Sequence, residues 1–122
     1  MSHTVLIADD EPNIVVSLEF LMKREGHVVR IARDGPAALE AIRREKPALV
    51  LLDVMMPGMS GFEVCQAVRA DESLAGVKIV MLSAKGRDTD LAKGRALGAD
   101  AYVTKPFSTR ELAETVRALL ER

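Results

Sequence analysis

Short runs of Val, Ile and Leu recur along the chain, separated by longer stretches in which apolar positions fall three and four apart. The runs occupy positions 5–8, 28–31, 49–52, 79–82 and 101–103. This alternation predicts five parallel strands with helices on both faces of the sheet. The third and fourth runs are continuously apolar and are expected in the centre; Arg30 interrupts the second and Thr104 the fifth, which marks them as edges. Between the runs, Pro12 suits the first turn of a helix that carries Val15, Leu18, Leu21 and Met22 on one face and ends near Arg24 before Gly26. Asp34-Gly35 precedes a second helix with Ala38, Leu39 and Ile42, stopped by Pro47. A third spans 61–70 with Phe62, Cys65 and Val68 inward, and Cys65 there reads as a small buried hydrophobe. The fourth, 89–97, is weakened by Gly94 and capped by Gly98, and the fifth opens on a Ser108/Glu111 capping box. The pattern is an open, doubly wound α/β domain, whose ligand site lies at the carboxyl ends of the strands.

A length of 122 residues fits one domain, 1–122, and 48% hydrophobic with 29% charged residues supports a real core under a polar surface. A formal net charge of -1 lacks the positive surplus that non-specific nucleic-acid binding requires. The lone cysteine excludes an internal disulfide, and no apolar run is long enough for a membrane span. With no signal-type segment ahead of the first strand, a soluble cytoplasmic protein is expected. Aromatic residues at 3% with no Trp argue against base-stacking platforms. His3 and His27 read as isolated surface or edge residues.

The residues just past the apolar runs carry the chemistry. Asp9 and Asp10 come after the first, Asp53 after the third, Ser83 after the fourth and Lys105 after the fifth. In a parallel sheet these ends converge, so carboxylates, a hydroxyl and an ammonium meet at one edge. Carboxylates about 4 Å apart repel by roughly 4 kcal/mol per pair at an effective dielectric near 20, so the group calls for a cation. All-oxygen ligands favour Mg2+ over zinc. A carboxylate can also attack phosphorus, with Mg2+, an ammonium and a hydroxyl sharing the charge on the transferring oxygens.

On these residues the whole chain resembles the receiver domain of bacterial two-component response regulators, chemotaxis regulators among them. Asp9-Asp10-Glu11, the stretch Leu51-Leu52-Asp53-Val54-Met55-Met56-Pro57-Gly58-Met59-Ser60-Gly61, Ser83-Ala84 and Lys105-Pro106-Phe107 carry the likeness. The resemblance implies a flavodoxin-like (βα)5 fold with strand order 2-1-3-4-5. It implies Asp53 as phosphoacceptor, Asp10 as a direct Mg2+ ligand, Asp9 acting through a water, and the Met55 carbonyl completing the protein ligands. Ser83 would bind a phosphoryl oxygen, Lys105 would pair with the phosphoryl group, and Pro106 would follow a cis peptide. Tyr102 matches an aromatic that rotates inward when the hydroxyl residue moves, a role set evenly against that of a static edge aromatic. Ser83 stands where Thr is commoner. Met55 and Lys85 occupy the positions that tune dephosphorylation, and apolar Met55 implies a long-lived phosphoryl state.

Plainer readings stand beside these. Asp9 or Asp10 could cap the first helix, Ser83 could be an ordinary strand-end hydroxyl, and Lys105 a solvated surface lysine. An FMN carrier of the same fold is disfavoured because Asp9-Asp10-Glu11 would repel its phosphate. An aspartate-based phosphatase needs a second acid where Met55 stands. The expected function is a phosphorylation-activated switch, not a conventional enzyme, that promotes its own phosphorylation and dephosphorylation. Its phosphodonor would be a sensor histidine kinase or histidine phosphotransfer protein, and its output a downstream protein or effector domain. A pseudo-receiver that binds partners without phosphotransfer is the alternative. Asp100 and Arg117 resemble charges that pair across a dimer face of helix four, strand five and helix five. Ala101 and Glu114 depart from that pattern, so the same dimer does not follow and a phosphorylation-dependent homodimer is left open. No effector follows Arg122, which fits a stand-alone regulator or a piece of a longer chain.

Overall fold

The alternation of buried runs and amphipathic stretches closes into one sheet with helices on both faces. The structure, a computed structural model, describes residues 3–84 and 88–121, with side chains except at 88–91. The strands are β1 (Thr4–Ala8), β2 (Val28–Ala32), β3 (Leu49–Asp53), β4 (Lys78–Ala84) and β5 (Ala101–Lys105). The helices are α1 (Pro12–Arg24), α2 (Gly35–Glu45), α3 (Gly61–Arg69), α4 (Asp88–Ala96) and α5 (Thr109–Leu120). All strand pairs are parallel, in the order β2-β1-β3-β4-β5. The winding reverses between β1 and β3, and the carboxyl ends of the strands at such a reversal are where open α/β sheets bind ligands.

Alternate residues of each strand feed two cores. Val5, Ile7, Leu49, Leu51, Val80 and Leu82 meet Leu18, Met22, Leu112 and Val116 of α1 and α5. Leu6, Val50, Leu52, Ile79 and Met81 meet Ile42, Val64 and Val68 of α2 and α3. Each fully buried aliphatic contributes about 1.5–3 kcal/mol. β3 is buried throughout, as its unbroken apolar run predicts, and β2 and β5 are the edges. Arg30 fits its edge strand because its guanidinium reaches Glu45 of α2 at 2.8 Å.

Local chemistry sets the helix ends. Asp34, Ser60 and Ser108 each accept the backbone N–H three residues on, at 2.7, 3.2 and 3.3 Å. Gly26, at φ +91°, turns the chain beyond α1. Gly94, inside the short α4, weakens that helix by about 1 kcal/mol relative to Ala.

Several expectations change. β3, β4 and β5 run further than the apolar runs, so Asp53, Ser83 and Lys105 lie within the last residues of their strands. A 3-10 turn at Glu72–Leu74 precedes β4, held by Asp71 accepting from the Ser73 N–H at 3.0 Å. His3 and His27 are not isolated: their rings lie 5.7 Å apart, and His27 Nδ1 accepts the His3 N–H at 3.3 Å. Asp100 and Arg117 are engaged within the chain. Asp100 accepts from Arg69 at 2.7 Å and from the Ile79 N–H at 2.8 Å, and Arg117 holds Glu25 through two nitrogens. Cys65 is buried as expected, its thiol 3.7 Å from the Leu97 carbonyl.

Candidate functional site

The carboxyl ends of β1, β3 and β5 bring Asp9, Asp10, Asp53 and Lys105 together. One carboxylate oxygen from each of Asp9, Asp10 and Asp53 can be chosen so that all lie within 4.8 Å of one another; Asp9 and Asp53 are buried and Asp10 is exposed. Lys105 reaches in from β5, its Nζ 2.9 Å from Asp9 Oδ2, 3.5 Å from Asp53 Oδ1 and 3.5 Å from Glu11 Oε1. With its side chain 14% exposed, Lys105 is no solvated surface lysine. Its peptide bond to Pro106 is cis. Ser83 ends up 2% exposed near the end of β4, one residue past the partner of Asp53 in the strand register.

The capping alternative for the acidic pair does not hold. Glu11 occupies the N-cap of α1 and makes no side-chain cap bond. Asp9 Oδ1 instead accepts the Glu11 N–H at 2.9 Å, and its Oδ2 holds Lys105, so both oxygens of this buried carboxylate are engaged. Asp53 Oδ1 accepts the Met55 N–H at 3.2 Å, and Met55, two residues past the acceptor, is 63% exposed. Lys85 lies outside the described residues.

Burial, and secondarily the charge of Asp9, pushes the Asp53 carboxyl up to about 6, against the opposing pull of Lys105 and the Met55 N–H. For Lys105 burial acts downward, but the hydrogen bond to Asp9 and the charges of Asp53, Asp9 and Glu11 prevail and raise it. Asp9, Glu11 and Asp53 thus share Lys105 as their cation among the described residues, with the Asp10 carboxylate close to those of Asp9 and Asp53. Negative charge is left uncompensated, on oxygens of the kind Mg2+ prefers. The residues fit that ion.

Two contributors have no periodic signal. Glu11 joins the Lys105 cluster through a side chain whose direction only the fold determines. Gly61, the first residue of α3, lies so close to the end of β3 that a Cβ there would overlap the Asp53 carbonyl oxygen. The Gly61 N–H donates to the Val54 carbonyl at 2.9 Å, fastening α3 beneath the acceptor.

A family model described as the response regulator receiver domain matches residues 5–117. The chain belongs to that family. Solved structures agree across the whole receiver. A protein of Chloroflexus aurantiacus J-10-fl, assigned to the response regulators, shares 34% identity at a TM-score of 0.95, over 100% of both chains. The chemotaxis protein CheY4 of Vibrio cholerae shares 29% at 0.89, over 98% of this chain and 99% of that one. NtrX of Brucella abortus also shares 29% at 0.89; the match covers 99% of this chain and 27% of NtrX. The receiver has the flavodoxin-like fold of its relatives and belongs to two-component signalling, in a family of switches rather than conventional enzymes. Among its described residues no helix is long and apolar enough to cross a membrane.

Proposed function

We propose that this receiver accepts a phosphoryl group on Asp53 from a sensor histidine kinase or a histidine phosphotransfer protein. The observation that carries the reading is the convergence of Asp53, Asp9 and Asp10 on one crevice with Lys105 turned into it. The Asp53 carboxylate attacks phosphorus, forming an O–P bond as the donor's P–N bond breaks and the departing imidazole nitrogen keeps the electron pair. Lys105 lies 3.5 Å from Asp53 Oδ1, where its charge offsets that of the arriving oxygens. Ser83 supplies a hydroxyl donor from β4. Asp10, Asp53 and the Met55 carbonyl would hold Mg2+, with Asp9 outside the direct ligands because Lys105 and the Glu11 N–H already engage its oxygens. Bound there, Mg2+ supplies charge neutralisation of the transferring phosphoryl oxygens.

The exposed thioether side chain of Met55 places apolar bulk where a hydrolytic water would approach, which supports a long-lived phosphoryl state. The readout would pass through Ser83 and Tyr102 to the face of α4, β5 and α5. A cytoplasmic partner protein or effector domain would read that face, and phosphorylation-dependent pairing of two copies is a further outcome. Intact-mass spectrometry after incubation with acetyl phosphate tests the site. One added phosphoryl group is expected in the wild type with Mg2+, little without it, and none in Asp53→Asn. Equal modification of Asp53→Asn places the acceptor elsewhere, and an unmodified wild type favours the pseudo-receiver reading.

A further inference from the structure

Gly94 is buried on the face of α4 that meets β5. A Cβ at this position would stand 3.2 Å from both Cδ2 and Cε2 of Tyr102 and 3.6 Å from Cγ of Met81. The missing side chain is therefore a notch in α4, and the Tyr102 ring lies against it. We infer that Gly94 is a positioning residue of the switch: its notch admits the Tyr102 ring and so sets how far that ring travels when Asp53 is phosphorylated. The inference rests on the reading of Tyr102 as the residue that follows phosphorylation.

The surroundings determine which neighbour would yield to a methyl group. Met81, the register partner of Tyr102 on β4, is fully buried and cannot retreat. The preceding residue of α4, Lys93, places its Nζ 4.7 Å from the centre of the Phe62 ring on α3, which holds this helix face down. Tyr102 sits on the edge strand, half-buried. It also borders a hollow of about 230 Å³ lined by Thr104, Pro106, Phe107 and Ser108. A ring that must give by a few tenths of an ångström or more has that space to move toward. Gly94→Ala is thus expected to move Tyr102 outward while leaving the Asp53 pocket intact.

The chain contains one Tyr and no Trp, so its intrinsic ultraviolet fluorescence reports on Tyr102 alone. Acrylamide quenching of the full chain reads the exposure of this ring directly. In Gly94→Ala the quenching constant is expected to rise about twofold before any phosphodonor is added, because the population shifts to the outward ring. The change in quenching on adding beryllofluoride with Mg2+ should shrink to less than half that of wild type. Ala92→Gly, on the exposed side of the same helix, disturbs helix propensity without touching the ring and should leave quenching as in wild type. Identical quenching in Gly94→Ala and wild type, or a matching rise in Ala92→Gly, overturns the inference. The mass measurement on Asp53 is a separate reading: if no phosphoryl group is added, the acceptor assignment fails, while quenching of the unmodified proteins still decides whether Gly94 seats the ring.

Discussion

Asp53 combines burial with a neighbouring carboxylate, and both disfavour its charge. Its folded-state pKa of about 6 lies above the ordinary 3.8, so protonation favours the folded protein. The cost of ionising it is absent below about pH 4, grows as the pH rises to about 6 and is constant above that. At 1.36 kcal/mol per unit this amounts to at most about 3 kcal/mol. Without Mg2+, Asp53→Asn is therefore expected to be more stable than wild type by about 1–3 kcal/mol at pH 7, with the two converging near pH 4. Urea unfolding at both pH values measures the difference; a gap that stays constant would show that ionisation of Asp53 is not its source. Lys105 limits the penalty, being tied most closely to Asp9 and more loosely to Asp53.

At the scale of elements, the acceptor is held by the fit of α3 against the end of β3. Gly61→Ala would drive a methyl into the Asp53 carbonyl, which is backbone and cannot swing aside. A loss of about 1–3 kcal/mol in stability is expected, as for overpacking elsewhere, together with reduced phosphorylation. Gly76, whose Cβ would meet nothing within 4 Å, provides the control, and Gly76→Ala should unfold at the same temperature as wild type. Equal melting temperatures for the two alanine variants would remove Gly61 from this role. That contact illustrates where the sequence is legible and where it is not. Burial of the central strands, the helix faces and the Ser108 cap follow from spacing within a segment, because the deciding physics is local. The Asp9–Lys105 hydrogen bond, the His3–His27 pair and the Gly61 approach depend on how the chain folds back on itself, and periodicity carries no information about them. Convergence of parallel strand ends predicts that Asp9, Asp10, Asp53 and Lys105 share one edge, yet it does not tell that Asp9 is the nearest partner of Lys105 in this state.

Across the whole molecule, phosphorylation at one end of the sheet must reach a surface that partners can read. The two charges with a counterpart in known dimer faces are taken: Asp100 by Arg69 and the β4 backbone, Arg117 by Glu25 at the end of α1. A homodimer on that face would have to break these pairs or use other groups. The α4 side is softer, since this helix is short and carries Gly94 in its second half. Ser83 stands between the acceptor and that side, buried near the end of β4 with Thr104 of β5 as its register partner. A phosphoryl group on Asp53 would draw the Ser83 hydroxyl toward it and loosen the packing behind, where Tyr102 lies on the adjoining strand. Turning a two-state equilibrium from 1:99 to 99:1 takes about 5.5 kcal/mol of differential interaction. Charge-assisted hydrogen bonds from Ser83, Lys105 and backbone N–H groups, at about 1.5–3 kcal/mol each, are sufficient for it. Ser83→Ala removes one of these bonds and leaves Asp53 and Lys105 in place. It is expected to accept the phosphoryl group still, while the amide NMR shifts of α4 and β5 on adding beryllofluoride fall well below those of wild type. Shifts of undiminished size in Ser83→Ala would show that the signal leaves Asp53 by another route.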